Sequence, residues 1–522
     1  MLGTVTLLAQ AAQRPAFRAL DAIVIVTYLL GMAGVGLYFS RRNNSTEEYF
    51  VGNRSFPGWV IGLSMLGTTI SSVTFLAFPG DAYATDWSKL VANLTLPLVA
   101  ILAIIVFIPF FRRGNLTSAF EYLEARYGTT VRFYGVVTFI VAQVFRLARI
   151  LYLVCLPVQL LTGADLWIII VCTGVFIAFY TVAGGIEAVI WTDVAQSIVL
   201  LLGGIICVGY VAMHLPGGLQ EVFTVASANN KFSLGSFDVD WSQRTFWTVS
   251  LLGIFTWLFN YSGDQNVIQR YASARSTREA RKATAIFSAV AVPTWALFFF
   301  VGTCVYVYYQ RFPSPAVGEL PPDAVFPQFI LTTLPAGLAG LVIAGVLAAA
   351  MSSLDSSINA IATVTVVDIV RPYVAPGRSD RFYLVLARVV ATLCAGVMIL
   401  GAIIVEYIPK ESMNDLTWIV ESVFNGCLMA VFMIGFFTTR VGNRAAIAAL
   451  AVAVAVNVYL AFNWLGVVPW KVPLDNYWVG PLVNVLFAGL AISLSFVGLK
   501  NLRSRDQLQG LTVWTMRSRR ER

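Results

Sequence analysis

The sequence predicts an all-α polytopic membrane protein of about 13 transmembrane helices, and three observations carry that fold class. Of its 522 residues 58% are hydrophobic and 12% charged, and the mean hydropathy is +0.77, a surface that water would not tolerate. Apolar stretches long enough to cross a bilayer, about 20 residues each, recur along the whole chain. Basic residues gather in every second connection between them, as the positive-inside rule requires.

Taken in order, the stretches are 19–40, 55–86, 88–111, 130–161, 165–182, 187–213, 245–265, 283–309, 336–370, 382–407, 413–438, 443–464 and 477–499. With the N-terminus outside, the cytoplasmic connections hold 24 of the 35 Lys and Arg residues and the opposite connections seven. Residues 1–18 then form an extracytoplasmic segment, 19–499 one integral membrane domain and 500–522 a basic cytoplasmic tail. Anionic headgroups account for that tail, so no nucleic-acid partner is implied. The segment "PPDAVFPQFILTTLP" reads as a surface helix. Two spans are interrupted by small and polar residues, the second by "LGTTISSVT" and the seventh by "FNYSGDQN". Each opens a block of five spans, about 55–213 and 245–438, the placement expected of inverted repeats with discontinuous helices at the substrate site.

Several chemistries have no visible parts. The six cysteines lie singly in apolar spans without a CxxC pair, so neither a zinc site nor a disulfide framework is suggested. There is one histidine, His214, and no phosphate-binding loop or nucleophile elbow, which argues against an enzyme. The N-terminal "MLGTVTLLAQAAQ" lacks a basic start and makes a poor signal peptide.

The stretch "MSSLDSSINA" at 351–360 puts four serines and an aspartate inside an apolar run. On a helix Ala349, Ser352, Ser353 and Ser356 share one stripe. Their hydroxyls, with carbonyl oxygens freed by a break near Gly67 to Ser71, can replace the water shell of a small hard cation; hydroxyls bonding back to their own helix are the alternative. Asp193 and Asp355 are carboxylates within spans, costly there and functional candidates by default. Each could neutralise a cation or carry a proton. Arg146 lies mid-span in "VAQVFRLARILYLV", where its planar fork suits a carboxylate of the substrate or a buried acid such as Glu421.

Together "STEEYFVGNRSFPGWVIG", "GGIEAVIWTDVAQSIVLLLGG", "GDQNVIQRYASARS" and "AAAMSSLDSSINAIATVTVVDI" resemble the sodium:solute symporter family over about residues 20–500. The stretches "TTISSVTFLAFPGDAYATDW" and "IPFFRRGNLTSAFEYLEARY" resemble its bacterial sialic-acid branch. The resemblance implies a leucine-transporter-type 5+5 inverted repeat with additional helices, a multi-pass cell-membrane protein, and sodium-driven uptake. It places a principal sodium site on Gly67, Ile70, Ala349, Ser352 and Ser353. A second sodium site falls on Asp193, Asp355 and Ser356, with Asp355 standing where that branch has serine, so two sodium ions are expected, or one if the aspartate is otherwise engaged.

The same resemblance assigns substrate contacts to Thr69, Ser71, Thr74 and Arg146. Lys89 and Asn93 occupy positions that carry an aromatic and a glutamine in the sialic-acid branch; Lys89 either adds a positive charge to the cavity or reaches headgroups. The expected substrate is a small organic anion, sialic acid or a related sugar acid first. Alternatives are a neutral sugar, monocarboxylate or vitamin-like acid carried with sodium, or a proton-coupled carrier. A channel or a receptor is the reading from another class. Sodium, the anion and membrane lipids are the implied partners, and the sequence assigns no oligomeric state.

Overall fold

A computed structural model describes residues 18–40, 45–113, 116–240, 243–318, 320–407, 426–464, 466–468, 472, 476–499 and 507–515. Among these residues the chain is helical, with nine helices long and apolar enough to span a membrane and a tenth span formed by a bent pair. The N-terminal span α1 (Ala19–Ser40) leads into a short helix α2 (Thr46–Val51), started by a capping box in which Ser45 and Glu48 satisfy each other's backbone N–H groups.

The first repeat begins with the bent pair α3 (Gly58–Thr69) and α4 (Ser72–Ala84), which meet at 60°. Ile70 and Ser71 between them are extended, at φ −89°, ψ 105° and φ −100°, ψ 178°. This is the "LGTTISSVT" interruption, and its effect is to leave the last carbonyls of α3 without intrahelical donors. Then follow α5 (Ser88–Arg113), with a π-helical turn over Ala103–Phe107, the amphipathic α6 (Ala119–Tyr127), α7 (Thr129–Thr162) and α8 (Leu166–His214).

The sequence leads one to expect two spans, 165–182 and 187–213, and the structure has two helices there, written together as α8 over 49 residues and meeting at a kink. Straight, it would reach about 74 Å, more than twice the roughly 30 Å of bilayer hydrocarbon. It bends instead at Gly185, which sits at φ 55°, ψ −160°. A Cβ at Gly185 would stand 2.7 Å from the Tyr49 ring, so both the backbone and the packing against α2 require glycine.

After the surface helix α9 (Gly218–Ala228), the second repeat opens with another broken pair, α10 (Phe246–Gly263) and α11 (Gln265–Ser273). Asp264 is the extended residue between them, and its side chain accepts from the Asn266 N–H at 2.7 Å. The repeat continues through α12 (Thr277–Arg311), the surface helix α13 (Pro322–Thr333), α14 (Leu338–Val364, running on as a π-helix to Val374) and α15 (Asp380–Glu406). The expected span 413–438 lies partly outside the described residues, and α16 (Leu428–Phe437) is its described end. Two further spans, α17 (Asn443–Trp464) and α18 (Val479–Phe496), follow the second repeat.

The spans separate into a lipid-facing set and an enclosed core. On α15 Val385, Val389, Leu393, Val397, Leu400 and Ile404 are all exposed and recur every three or four residues, the stripe that acyl chains cover. The most apolar window of α14 is 89% buried, because α14 packs against α1, α3, α7, α8 and α15 at once. Four serines on the best-enclosed helix therefore face protein, not lipid.

Candidate cation and substrate site

The oxygens of α14 meet the broken end of α3. Ser352 Oγ lies 2.8 Å from the Gly67 carbonyl, and Ser353 Oγ lies 3.1 Å from the Thr68 carbonyl. Both hydroxyls also reach the Ala349 carbonyl, at 3.2 and 3.4 Å. Gly67 also lets α3 lie close to α8: a Cβ there would meet the Asp193 carbonyl and Ser197 Oγ at 3.1 Å. Two hydroxyls and the carbonyls of residues 67, 68 and 349 thus form one compact oxygen cluster. It sits at the C-terminal, electronegative end of α3, a setting that favours a small monovalent cation. Ile70 is on the extended link just past this end, with its side chain fully buried. Thr68, whose carbonyl joins the cluster, is absent from the sequence-derived set, since the broken backbone rather than a side chain recruits it.

One helical turn further along α14 is a second polar centre, and it holds an arginine. Arg270 on α11 is 1% exposed and pairs with Asp193 of α8 at 2.8 Å. Its guanidinium also donates to Ser64 Oγ (2.9 Å), to the Asn266 carbonyl (2.9 Å), to Ser356 Oγ (2.7 Å) and to Thr68 Oγ1. Asp193 Oδ2 accepts from Ser64 Oγ at 2.6 Å and from Thr68 Oγ1 at 3.3 Å besides. Asp355 turns elsewhere: its Oδ2 accepts from the Tyr180 hydroxyl at 2.9 Å, and its Oδ1 from Ser356 Oγ at 3.3 Å. Ser64, Thr68, Tyr180 and Arg270 were all missed from sequence. Arg270 in particular reads there as one of the cytoplasmic-connection charges in "QRYASARSTREARK"; the structure corrects this, placing it inside the protein.

The substrate candidates surround the two breaks. Ser71 is the second extended residue of the first break and Thr74 lies three positions on, both buried at the start of α4. Thr69 spends its hydroxyl on the Met65 carbonyl at 2.7 Å. Arg146 on α7 is half-buried, and among the described residues its guanidinium has no hydrogen-bond or ion-pair partner. Asp264, at the second break, feels its charge. Glu421, the alternative partner considered from sequence, lies outside the described residues. Asn93 is half-buried on α5.

Lys89 stands apart from this group. Its side chain is 45% exposed and pairs with Asp81 near the end of α4 at 2.5 Å. Lys89 thus makes a local ion pair at the junction of α4 and α5, with an acid eight residues earlier in the chain.

Two five-span blocks that each open with a broken helix, around an oxygen cluster fit for a monovalent cation, define an ion-coupled membrane transporter of the leucine-transporter type. The comparisons with known proteins are of one kind with this. Residues 49–453 match the model of the sodium:solute symporter family, and the chain belongs to that family.

Among its relatives, the sodium/sialic acid symporter SiaT of Proteus mirabilis (strain HI4320) is 32% identical over 440 residues, which cover 84% of this chain and 88% of that one. The human sodium/iodide cotransporter is 30% identical over 471 residues, covering 87% and 71%. In structure the chain is similar to a sodium-coupled sialic acid symporter in a substrate-bound outward-open state, with a TM-score of 0.84 and 28% identity over 92% of this chain and 98% of that one. A nucleobase-cation-symport-1 family transporter in a closed conformation (TM-score 0.56, 16% identity, 90% of this chain and 98% of that one) shares the fold alone.

Proposed function

We propose that this protein imports sialic acid or a related sugar acid by sodium-coupled symport. The observation that carries the reading is Arg146, a half-buried arginine inside a span with no hydrogen-bond or ion-pair partner among the described residues. A guanidinium held there without a partner is costly and offers a planar fork of donors to a carboxylate. The relatives named for sialic acid support the choice of anion. Ser71, Thr74 and Asn93 supply polar groups for the hydroxyls of a sugar acid.

Sodium is cargo in this scheme. It binds among Gly67, Ile70, Ala349, Ser352 and Ser353, with the Thr68 carbonyl, and takes the place of the hydroxyl-to-carbonyl hydrogen bonds that now hold α14 to α3. The ion thereby ties the enclosed helix to the broken one and fixes the geometry of Ser71 beside it. Loss of the ion on the other side frees α3 to move and releases the anion, which is alternating access about the two breaks. In this reading the protein lies in the cell membrane with its N-terminus outside and its C-terminus in the cytoplasm, an orientation that the distribution of Lys and Arg supports.

Uptake of labelled sialic acid into proteoliposomes tests the reading, with and without an inward sodium gradient and with choline replacing sodium at fixed pH. Accumulation that needs sodium supports it. Accumulation that persists in choline and follows a pH gradient identifies a proton-coupled carrier instead, and competition by neutral sugars alone removes the anion.

A further inference from the structure

An open groove of about 660 Å³ runs between the first half of α8 and α15. We propose that it seats one anionic phospholipid of the leaflet that meets the 371–381 connection, the cytoplasmic leaflet in the orientation supported above, with the phosphate on Arg388 and an acyl chain along the groove. Val175, Phe179 and Ala183 form one wall at helical spacing on α8, and Arg388, Thr392 and Gly396 form the other at the same spacing on α15. The α15 wall is low, since a Cβ at Gly396 would meet nothing within 4 Å. The groove closes where Ile399 packs on Gly174 so tightly that a Cβ at Gly174 would stand 2.4 Å from the Ile399 side chain.

Length, position and charge all fit this occupant. The eleven-residue rise from Arg388 to Ile399 on α15 is about 16 Å, close to the ~15 Å that one leaflet contributes to the hydrocarbon core. The exposed stripe of α15 that includes Val389, Leu393 and Val397 borders the groove, so what fills it is drawn from the bilayer. Arg388 is half-buried two turns into α15 from Asp380. Side chains on a helix lean toward its N-terminus, which carries this guanidinium back toward headgroup depth. A guanidinium at the edge of a lipid-facing groove is costly against acyl chains alone. Its fork of five donors can take two phosphate oxygens even where a protein neighbour uses one donor. Arg381, exposed two turns earlier on the same face, and Arg378, exposed just before the helix, add positive charge at the mouth and favour an anionic headgroup over a zwitterionic one. The seated lipid joins α8 to α15, both of which pack on α14, and so supports the helix that carries Ser352 and Ser353.

Lipid retention by the purified full-length protein tests this. Protein in mixed micelles with equal amounts of phosphatidylglycerol and phosphatidylcholine is exchanged into lipid-free detergent and weighed by native mass spectrometry. One phosphatidylglycerol per chain should survive the exchange, roughly fivefold or more in excess of phosphatidylcholine. R388Q should bring the two lipids to equal retention. G396L, which fills the groove from a position facing open space, should reduce retention of both while leaving the melting midpoint of the lipid-free protein unchanged, and it decides the matter if R388Q does not fold. Equal retention of the two lipids by the wild type, or wild-type retention of phosphatidylglycerol in G396L, overturns the proposal. Added phosphatidylglycerol should raise the melting midpoint of the wild type, and glycerol phosphate, the headgroup without chains, should not. Equal stabilisation by the two shows a site for a free anion and overturns the lipid assignment.

Discussion

Replacing Arg146 with alanine removes a guanidinium proposed to hold the substrate carboxylate, and the size of the effect follows from its surroundings. Among the described residues the Arg146 guanidinium has no hydrogen-bond or ion-pair partner. A charge-assisted hydrogen bond contributes roughly 1.5–3 kcal/mol, and a two-bond fork about 3–6 kcal/mol. At about 1.4 kcal/mol per tenfold, R146A should weaken substrate binding by roughly a hundredfold or more. R146K keeps the charge and loses the fork, so its loss should fall between wild type and R146A. The assay is substrate titration by calorimetry at saturating sodium, with sodium-dependent thermal stabilisation as the control for an intact first site. Substrate affinity within a few-fold of wild type in R146A, with that control preserved, refutes the reasoning.

Four further outcomes follow from the geometry. S352A removes a hydroxyl that stands 2.8 Å from the Gly67 carbonyl and should raise the sodium concentration for half-maximal uptake by about tenfold, the value of one net ligand of roughly 1.4 kcal/mol. D193N takes the counter-ion from a buried arginine, a change of about 3–5 kcal/mol, and the melting midpoint should fall by several degrees with or without sodium. G185A forces a side chain into a left-handed backbone and against Tyr49, costing at least about 1–2 kcal/mol, seen as reduced yield and a lower melting midpoint. K89Q breaks a half-exposed ion pair worth less than about 1 kcal/mol, and uptake kinetics should change by no more than a few-fold.

Hydropathy made the spans legible because a bilayer imposes one length on every crossing helix. The two breaks were legible for a related reason: small and polar residues in "LGTTISSVT" and "FNYSGDQN" are tolerable in a span only where backbone turns inward. The serine stripe on α14 was visible from helical spacing, and the structure places Ser352 and Ser353 against residues 67 and 68 as that spacing suggests. What stayed hidden is non-local. Arg270 meets Asp193 across 77 residues, and Tyr180 meets Asp355 across 175, pairings that no window along the chain can show. Arg270 was further disguised by a basic run that looks juxtamembrane. For Lys89 the sequence left a cavity charge and a headgroup contact both open, and its acid, Asp81, was not among the partners it suggested. The two spans on either side of Gly185 were legible from hydropathy, while the break between them was not, since a glycine in sequence gives no sign of its φ.

The central claim is that the oxygen cluster between α3 and α14 and the guanidinium on α7 serve one coupled import reaction. Uptake of labelled sialic acid into proteoliposomes, with sodium present outside only, against a choline control and beside S352A and R146A, tests it most directly. Accumulation that requires the sodium gradient and is impaired in both variants is the predicted result. Equal uptake in choline, or unimpaired accumulation in either variant, contradicts the account.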